Sequence, residues 1–315
     1  MTFAIDCQNL VKTYRGKPPV EAVRGINFQV NVGECFGVLG PNGAGKTTTI
    51  EILEGLLSAT SGTATILGMD WHSAATQIRE RIGVSLQETQ LGDRLTVKET
   101  LNLFRCFYSS GVTPAEAMAR VSLEEKENSW VKALSGGQKQ RLAVATALVG
   151  DPELIFLDEP TTGLDPTSRR QLWEIIESFK AQNRTVMLTT HYMEEAERLC
   201  DRVAIFDAGK IIAEGSPREL IQTLGANHVI EFSTGDSASG KSLDWIEQLP
   251  SVSKVQVDDE SVRVTADQLH EVLPGLVAGL EKQQIALTGL STRQATLEDV
   301  FVNLTGKHLS EGVES

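Results

Sequence analysis

The chain has 315 residues, of which 41% are hydrophobic and 23% are charged, and its formal net charge is −13. This composition is typical of a globular protein of about two domains and excludes a disordered chain. The acidic balance argues against unassisted binding to nucleic acid or anionic lipid, because both require clustered Lys and Arg.

The sequence contains no apolar run of the length that a membrane-spanning helix needs. The longest candidate, residues 142–150, falls well short of the ~18 apolar residues required. No basic segment precedes an apolar run near Met1, so we expect no secretory signal and a cytosolic location. The cysteines are widely spaced and form no C-x-x-C pair, so we expect reduced thiols: Cys7, Cys35, Cys106 and Cys200.

The first 60 residues have the pattern of strands followed by a glycine-rich turn and a helix. Strands are predicted over residues 3–10 and 26–30, and the apolar run 35–39 leads directly into the turn. Apolar residues then recur at helical spacing over residues 48–57. A strand, a glycine turn and a helix in this order form the context that a phosphate-binding loop requires.

The middle of the chain first becomes helical and charged and then returns to strands. Residues 88–134 are interpreted as an inserted helical subdomain, with its clearest helices at 97–108 and 114–123. Predicted strands and amphipathic helices then alternate over 154–157, 168–181, 185–189, 193–200 and 202–207. This alternation predicts an α/β core with a largely parallel sheet.

A different pattern begins after Leu224, and we place a domain boundary there, between residues 1–224 and 225–315. Strand, helix, strand, strand, helix and strand are predicted at 228–233, 243–249, 252–257, 262–265, 268–283 and 285–290. This order predicts a ferredoxin-like α+β domain. The Gly/Ser-rich segment 233–241 is predicted to be a mobile loop.

The glycine turn fits the phosphate-loop pattern G-x-x-x-x-G-K-[ST]. Its residues are Gly40, Pro41, Asn42, Gly43, Ala44, Gly45, Lys46 and Thr47. Backbone N–H groups at a helix N-terminus cradle phosphates, Lys46 would neutralise the β- and γ-phosphates, and the Thr47 hydroxyl would bind Mg²⁺. The alternative is a glycine-rich turn that binds nothing. A phosphate loop indicates only an NTPase in general.

A second motif, Leu134-Ser135-Gly136-Gly137-Gln138, narrows the prediction. Ser and two glycines at the start of the predicted helix 138–148 present a hydroxyl, bare amides and a positive dipole end to an anion. Ser135 would cap this helix in any case, but capping does not explain both glycines. Here the sequence resembles the ABC ATPase family, which implies a P-loop NTPase core that binds and hydrolyses ATP with Mg²⁺.

Two carboxylates follow the apolar run 154–157, at the end of a predicted buried strand. Open α/β sheets bind ligands at that end of their strands. Asp158 suits Mg²⁺, which prefers oxygen ligands, and Glu159 suits the base that activates water. The alternative is two exposed acids at a strand end.

The resemblance implies further site residues by position. His191 matches the switch histidine, which contacts the γ-phosphate, and Gln87 matches the glutamine that binds Mg²⁺ or the attacking water. Tyr14 matches the aromatic residue that stacks on adenine. Thr48, directly after the phosphate loop, and Asp165, in the stretch Gly163-Leu164-Asp165-Pro166, complete the implied nucleotide contacts. A structural His, a strand-end Gln and a surface Tyr are the simpler alternatives.

The resemblance covers residues 3–224, and residues 295–306 look like the ending of drug-resistance-type exporter ATPases, which work with ABC-2 permeases. It implies export of a drug, antibiotic or lipid-like molecule through a separate membrane subunit, with the chain peripheral on the cytoplasmic face of the cell membrane. In this family each ATP lies between one subunit's phosphate loop and the other's signature, so a homodimer or a pair with a paralogue is implied.

Two other functions remain open from the sequence. ABC ATPases that act on ribosomes usually carry two cassettes, and those that act on DNA ends usually split the cassette around a coiled coil. Neither feature is present in the sequence. A binding module that uses ATP only as a structural switch is distinguished by the absence of turnover.

Overall fold

The computed structural model describes residues 3–87, 89–225, 228–234, 242–257 and 261–306. The chain divides into two compact units between Ser216 and Pro217. Each unit encloses a hydrophobic core of its own. Within the described ranges no helix is long and apolar enough to span a bilayer.

The first unit is built from strands and helices that alternate along most of its length. Its strands are β1 (Phe3–Tyr14), β2 (Val20–Asn31), β3 (Cys35–Leu39), β4 (Ser61–Ile66), β5 (Met69–Asp70), β6 (Ile82–Ser85), β7 (Leu154–Asp158), β8 (Thr185–Thr190), β9 (Arg202–Asp207) and β10 (Lys210–Gly215). Its helices are α1 (Lys46–Leu53), α2 (Trp71–Arg81), α3 (Val97–Arg105), α4 (Pro114–Arg120), α5 (Gly136–Leu148), α6 (Pro166–Ala181) and α7 (Met193–Leu199).

The main sheet has the strand order β10-β9-β3-β8-β7-β6, and every neighbouring pair except β10 with β9 is parallel. Strands β3, β7 and β8 are buried along their whole length, which explains their near-continuous apolar sequences. The predicted α/β core with a largely parallel sheet is confirmed. The carboxyl ends of β3, β8, β7 and β6 therefore lie along one edge, in that spatial order.

A smaller antiparallel sheet, ordered β2-β1-β4-β5, packs into the same core. Strands β1 and β2 are longer than the predicted 3–10 and 26–30, because they form a hairpin whose pairing runs from Phe3 opposite Asn31 to Tyr14 opposite Val20. The polar residues of this hairpin face solvent, so hydrophobic periodicity alone predicts an end of β1 that is too early and a start of β2 that is too late.

Helices α3 and α4 lie within residues 88–134, which are predicted to form a helical subdomain, and both end earlier than predicted. Helix α3 ends at Arg105 because Phe107 and Tyr108 donate to carbonyls three residues back, at 3.1 and 3.3 Å, which tightens the last turn. Helix α4 ends at Arg120: Ser122 has φ +53°, and Leu123 N–H donates to Met118 O at 3.0 Å. Helix α1 likewise begins at Lys46 and ends at Leu53, not at 48 and 57.

The second unit contains α8 (Pro217–Gln222), β11 (His228–Ser233), a 3₁₀ turn (Asp244–Gln248), β12 (Val252–Val257), β13 (Val262–Ala266), α9 (Leu269–Lys282), β14 (Gly289–Gln294) and α10 (Leu297–Thr305). Its sheet order is β12-β13-β11-β14, and all neighbours are antiparallel. This is the predicted ferredoxin-like arrangement, with a 3₁₀ turn in place of the helix predicted over 243–249.

The last strand of the sheet lies at Gly289–Gln294, not at the predicted 285–290. Ile285 is buried in the core of the unit, and its N–H donates to Leu280 O at 2.9 Å, so this residue belongs to the turn that closes α9 and does not begin a strand. The predicted mobile loop, 233–241, lies mostly outside the described residues. Helix α8 packs on α10, while the predicted boundary at Leu224 remains a prediction.

A buried carboxyl group lies directly after α1, in the core of the first unit. Glu54 is 4% exposed, and neither of its side-chain oxygens has a hydrogen-bond partner among the described residues. Burial raises the pKa of Glu54 to about 8, and the charges of Asp158 and Glu51 add to the shift. The folded chain therefore retains a proton here that the unfolded chain releases near pH 4.5.

We expect Glu54→Gln to stabilise the protein at alkaline pH. Wild-type stability should fall as pH rises from about 4.5 to 8, because the folded state binds more protons at Glu54 than the unfolded state does. Glutamine cannot ionise, so the unfolding free energy of the variant should exceed that of wild type by on the order of 4 kcal/mol at pH 8, and by about 1 kcal/mol or less at pH 5. Urea titrations at both pH values measure this, with Glu125→Gln, at an exposed carboxylate of the same unit, as the matched control; an equal difference at the two pH values would contradict it.

Candidate nucleotide-binding site

The glycine loop joins β3 to α1 and presents the bare N-terminus of that helix. Gly45 precedes the first helical residue with φ +99° and no side-chain cap. A Cβ at Gly45 would lie 2.3 Å from the carbonyl oxygen of Ala22, so no other residue fits this position. The free N–H groups of the first turn and the positive end of the helix dipole form a site for phosphate.

Lys46 is held inside this loop. Its side chain is 5% exposed, and Nζ donates to Gly40 O at 2.8 Å and to Pro41 O at 3.2 Å. Nζ also lies 3.9 Å from Glu159 Oε1. Burial lowers the pKa of Lys46, while the negative charges of Glu159 and Asp158 act in the opposite direction. The ammonium group is thus positioned between the loop and the two acids.

Both acids at the end of β7 are buried and tied to β8. The Thr189 hydroxyl hydrogen-bonds to Asp158 Oδ1, and Glu159 N–H donates to Thr189 Oγ1 at 2.9 Å. Burial raises the pKa of Asp158, and the adjacent Glu159 charge adds to this, although the Thr189 hydrogen bond and Lys46 oppose it. Glu159 has φ +45°, a left-handed conformation that is uncommon for residues other than glycine.

The Glu159 carboxylate is the centre of the site. His191 Nδ1 lies 3.2 Å from Oε2, the Gln87 side-chain amide donates to the same oxygen at 3.4 Å, and Thr162 Oγ1 does so at 3.1 Å. The hydrogen bond from His191 lowers the pKa of Glu159, and Lys46 adds to this effect, although burial opposes it. Glu159 therefore carries its charge at neutral pH, as a base must.

The strand order explains why these residues meet. Gly40 follows β3, His191 follows β8, Glu159 follows β7, and Gln87 lies two residues after β6, and these four strands are consecutive neighbours in the sheet. Residues separated by more than a hundred positions in the chain are thus brought to one edge. The structure brings together the predicted residues Gln87, Asp158, Glu159 and His191 with the lysine of the phosphate loop.

Tyr14 also lies beside the loop. Its hydroxyl is 3.3 Å from Thr48 Oγ1, and 39% of the residue is exposed. The Lys12 ammonium lies 5.3 Å from the centre of the Tyr14 ring. This placement agrees with a role at the edge of a nucleotide site, and stacking on adenine stays a prediction.

The signature residues form a separate set of contacts at the start of α5. Ser135 and Gln138 make a capping box, in which Ser135 N–H donates to Gln138 Oε1 at 2.9 Å and Gln138 N–H to Ser135 Oγ at 3.3 Å. A Cβ at Gly137 would lie 2.3 Å from Ser168 Oγ, whereas a Cβ at Gly136 would meet nothing within 4 Å. Gly137 therefore serves packing within the chain, and Gly136 leaves the surface open.

Asp165 caps α6. Its Oδ1 accepts from the N–H groups of Thr167 and Ser168, both at 3.0 Å, and its Oδ2 accepts from Ser168 Oγ at 2.6 Å. These bonds give the side chain a structural role within the chain. The implied contact of Asp165 with nucleotide stays a prediction.

Sequence reasoning missed the threonines that orient the acids. Thr189 bonds to Asp158 and to the backbone of Glu159, and Thr162 bonds to the Glu159 carboxylate. The available signal was the pair Thr189-Thr190 at the end of the apolar strand β8, where hydroxyl groups have to find partners once they are buried.

Comparisons with known proteins extend over nearly the whole chain. A sequence profile described as ABC transporter matches residues 23–162. Nod factor export ATP-binding protein I of Rhizobium etli is 39% identical over 313 residues, which cover 98% of this chain and 95% of that protein. The protein of the same name from Rhizobium meliloti is 41% identical, over 98% of this chain and 90% of that protein. The one from Burkholderia orbicola is 39% identical, over 98% of this chain and 98% of that protein.

Solved structures match a smaller part of the chain. A dimeric ATP-binding cassette in a post-hydrolysis state, bound to ADP and Pi, is 26% identical with a TM-score of 0.62 and covers 67% of this chain and 98% of that one. The cassette cbiO1 from Clostridium perfringens, part of the ABC transporter complex cbiONQ, is 26% identical with a TM-score of 0.61 and covers 71% of this chain and 95% of that one. The cassette matched is thus about the size of the first unit.

We expect Glu159→Gln to retain ATP binding and to lower hydrolysis by about 10²- to 10⁴-fold, because an amide cannot accept the proton of the attacking water. Steady-state phosphate release and equilibrium binding of ATP measure the two effects. Glu153→Gln is the matched control, since Glu153 lies just before the start of β7 and pairs with Arg81 at the surface. Near-normal turnover of Glu159→Gln would place the base elsewhere.

Proposed function

The chain belongs to the ABC transporter family as an ATP-binding, ATP-hydrolysing subunit, and from this premise we propose that it powers export through a separate membrane permease. The observation that carries the hydrolytic part is the Glu159 carboxylate, which lies within 3.9 Å of the Lys46 ammonium and within 3.2 Å of His191 Nδ1. Lys46 would neutralise the phosphates, and His191 and Gln87 would hold the water that Glu159 activates.

Mg²⁺ fits the oxygen donors at this edge of the sheet. Asp158 supplies a buried carboxylate, Thr47 an exposed hydroxyl on the first turn of α1, and Gln87 an exposed amide oxygen, which are the ligand types this hard cation prefers. We propose that these three residues would hold the ion, which would supply positive charge to neutralise the phosphates of bound ATP.

The export part of the proposal is supported by the relatives. They are named for Nod factor export, and they align with 98% of this chain, so the alignment includes most of the second unit. The family ending resembled by residues 295–306 forms α10 of that unit. We propose an ABC-2-type permease as the partner, with a drug, antibiotic or lipid-like molecule as the cargo and the chain peripheral on the cytoplasmic face through that partner.

The single copy of each motif in the chain is the reason to propose a dimer. The sequence holds one phosphate loop and one signature, so a site made of one subunit's loop and the other's signature requires two chains. The solved cassette bound to ADP and Pi is itself dimeric. We propose that ATP closes a homodimer, or a pair with a paralogue, and that hydrolysis reopens it.

Gly136 provides the test of completion in trans. Gly136→Trp should leave ATP binding by the single chain within about twofold, because no atom lies within 4 Å of the new Cβ, and should abolish hydrolysis by blocking closure on the partner. Mixing it with the equally inactive Lys46→Ala should restore activity through one intact composite site. Gly137→Ala is the contrasting variant, since it collides with Ser168 and should lower the melting temperature instead. Failure of the mixture to regain activity would contradict the trans arrangement.

The resemblance to ABC ATPases implies that the permease docks between Gln87 and the helices beginning near Val97, where the sequence offers Leu91, Leu95, Leu101, Phe104 and Phe107. Leu101 is fully buried and belongs to the core of the helical subdomain, so it is unsuited to docking, and Leu91, Leu95 and Phe104 are half-buried. Phe107 is 69% exposed, and Leu86 and Leu103 are also exposed. Exposed apolar side chains such as these are typical of a surface that contacts another protein. We propose that Leu86, Leu103 and Phe107 contact the permease.

We expect Phe107→Glu to abolish transport and co-purification with the permease, and to leave the ATPase rate of the isolated chain within about twofold, since a charge cannot be buried unpaired in the contact. ATP-driven uptake of cargo into inside-out vesicles that contain the permease measures transport. Leu56→Glu, which likewise places a charge at an exposed apolar residue of the first unit, is the matched control. Glu159→Gln gives the transport level without ATP hydrolysis. Normal transport by Phe107→Glu would move the docking surface elsewhere.

A further inference from the structure

The Tyr192 ring contacts both His191 and a cationic side chain of α6. The Tyr192 ring centre lies 4.1 Å from that of His191, at an interplanar angle of 42°. On Tyr192 stacks Arg169, whose guanidinium carbon is 4.5 Å from the ring centre. Arg169 and His191 are therefore linked through the Tyr192 ring. Arg169 lies on α6, which begins directly after the stretch Gly163–Asp165.

The Arg169 head group stacks on the Tyr192 ring, and its charge also acts on the buried Glu195 of α7. Its Nε is buried and has no hydrogen-bond partner among the described residues. A planar guanidinium stacks on an aromatic face with an electrostatic attraction that burial strengthens. The backbone of Tyr192 is anchored as well, since its N–H donates to Thr190 Oγ1 at 2.9 Å. Arg169 and His191 therefore both contact a ring whose backbone is tied to the end of β8.

Helix α6, which carries Arg169, is joined by a buried polar contact to α7, which begins directly after Tyr192. Glu195 on α7 is fully buried and accepts from Trp173 Nε1 on α6 at 3.0 Å. Burial raises the pKa of Glu195, while hydrogen bonds and the charge of Arg169 act in the opposite direction. The spacing between α6 and α7, and with it the stacking distance, is therefore fixed by tertiary contacts.

The first turn of α6 faces two functional segments at once. Ser168 occupies the space beside the signature residue Gly137, and the next residue, Arg169, stacks on Tyr192. A shift of this turn would therefore change two contacts at once: the packing of Ser168 against Gly137 at the start of α5, and the stacking of Arg169 on the ring beside His191.

We propose that Arg169 is a positioning residue for hydrolysis, which acts through the Tyr192 ring to hold His191 against the Glu159 carboxylate. This rests on the proposed roles of His191 and Glu159. Neither Arg169 nor Tyr192 belongs to the phosphate loop, so their removal should slow the chemical step and leave ATP affinity nearly unchanged. A misplaced catalytic group costs rate even when substrate still binds.

The experiment compares four variants of the full chain by kcat and KM for ATP. Arg169→Met keeps the apolar stem and removes the guanidinium, Tyr192→Leu removes the ring, and Tyr192→Phe restores it. We expect the first two to lower kcat about tenfold with KM changed less than twofold, and Tyr192→Phe to match wild type. Arg198→Met is the matched control: Arg198 lies over the Trp173 ring, 4.9 Å from its centre, on the same pair of helices, and pairs with Glu177.

A double-mutant cycle separates positioning from general destabilisation. Because Arg169 acts through His191, Arg169→Met in a His191→Ala background should lower the single-turnover rate by less than about twofold further. The proposal is overturned if Arg169→Met keeps kcat within twofold of wild type, if Arg198→Met loses as much, if Tyr192→Phe fails to restore the rate, or if the losses multiply in the cycle. Failure of the proposed function is distinguishable, because His191→Ala alone would then retain wild-type hydrolysis.

Discussion

The burial of three charged groups at one edge of the main sheet is the constraint on which the rest of the site depends. Lys46, Asp158 and Glu159 are each less than a tenth exposed. A buried charge is stable only when it is paired and hydrogen-bonded, and removal of one partner of such a pair typically costs about 3–5 kcal/mol. The carbonyl oxygens of the glycine loop, the Thr189 hydroxyl and His191 supply these bonds. The parallel strand order is what places all of them within reach.

This constraint also explains why polar residues accumulate at the ends of otherwise apolar strands. Thr189 is a buried residue of β8, yet its hydroxyl orients Asp158 and its oxygens accept the backbone N–H of Glu159. Replacing such a residue by an apolar one of similar volume would leave buried carboxylate oxygens without a donor. The residues around a catalytic carboxylate are therefore as restricted in type as the carboxylate itself, although they carry out no chemistry.

The two glycines of the signature show that one motif can serve two physical purposes. Gly137 is required by close packing against Ser168 in the same chain, whereas Gly136 faces open space. The sequence pattern alone predicts bare amides for an anion at both positions. Because α5 packs on α6, Gly137 is required for close packing, whereas a side chain at Gly136 would meet no neighbour. The same turn of α6 that accommodates Gly137 carries Arg169, so the signature helix, α6 and the His191 region form one continuous set of contacts.

Features that are encoded over short stretches could be predicted from the residues alone: the glycine loop, the signature, the two acids after an apolar strand, the α/β core and the ferredoxin-like order of the second unit. Which distant residues meet could not be predicted in this way. That Gln87 hydrogen-bonds to Glu159, that Leu101 is core while Phe107 is exposed, and that Ile285 is buried after α9 and does not begin a strand are all decided by packing against other elements. Local periodicity reports which face of an element is apolar, and only the folded structure decides which neighbour covers that face.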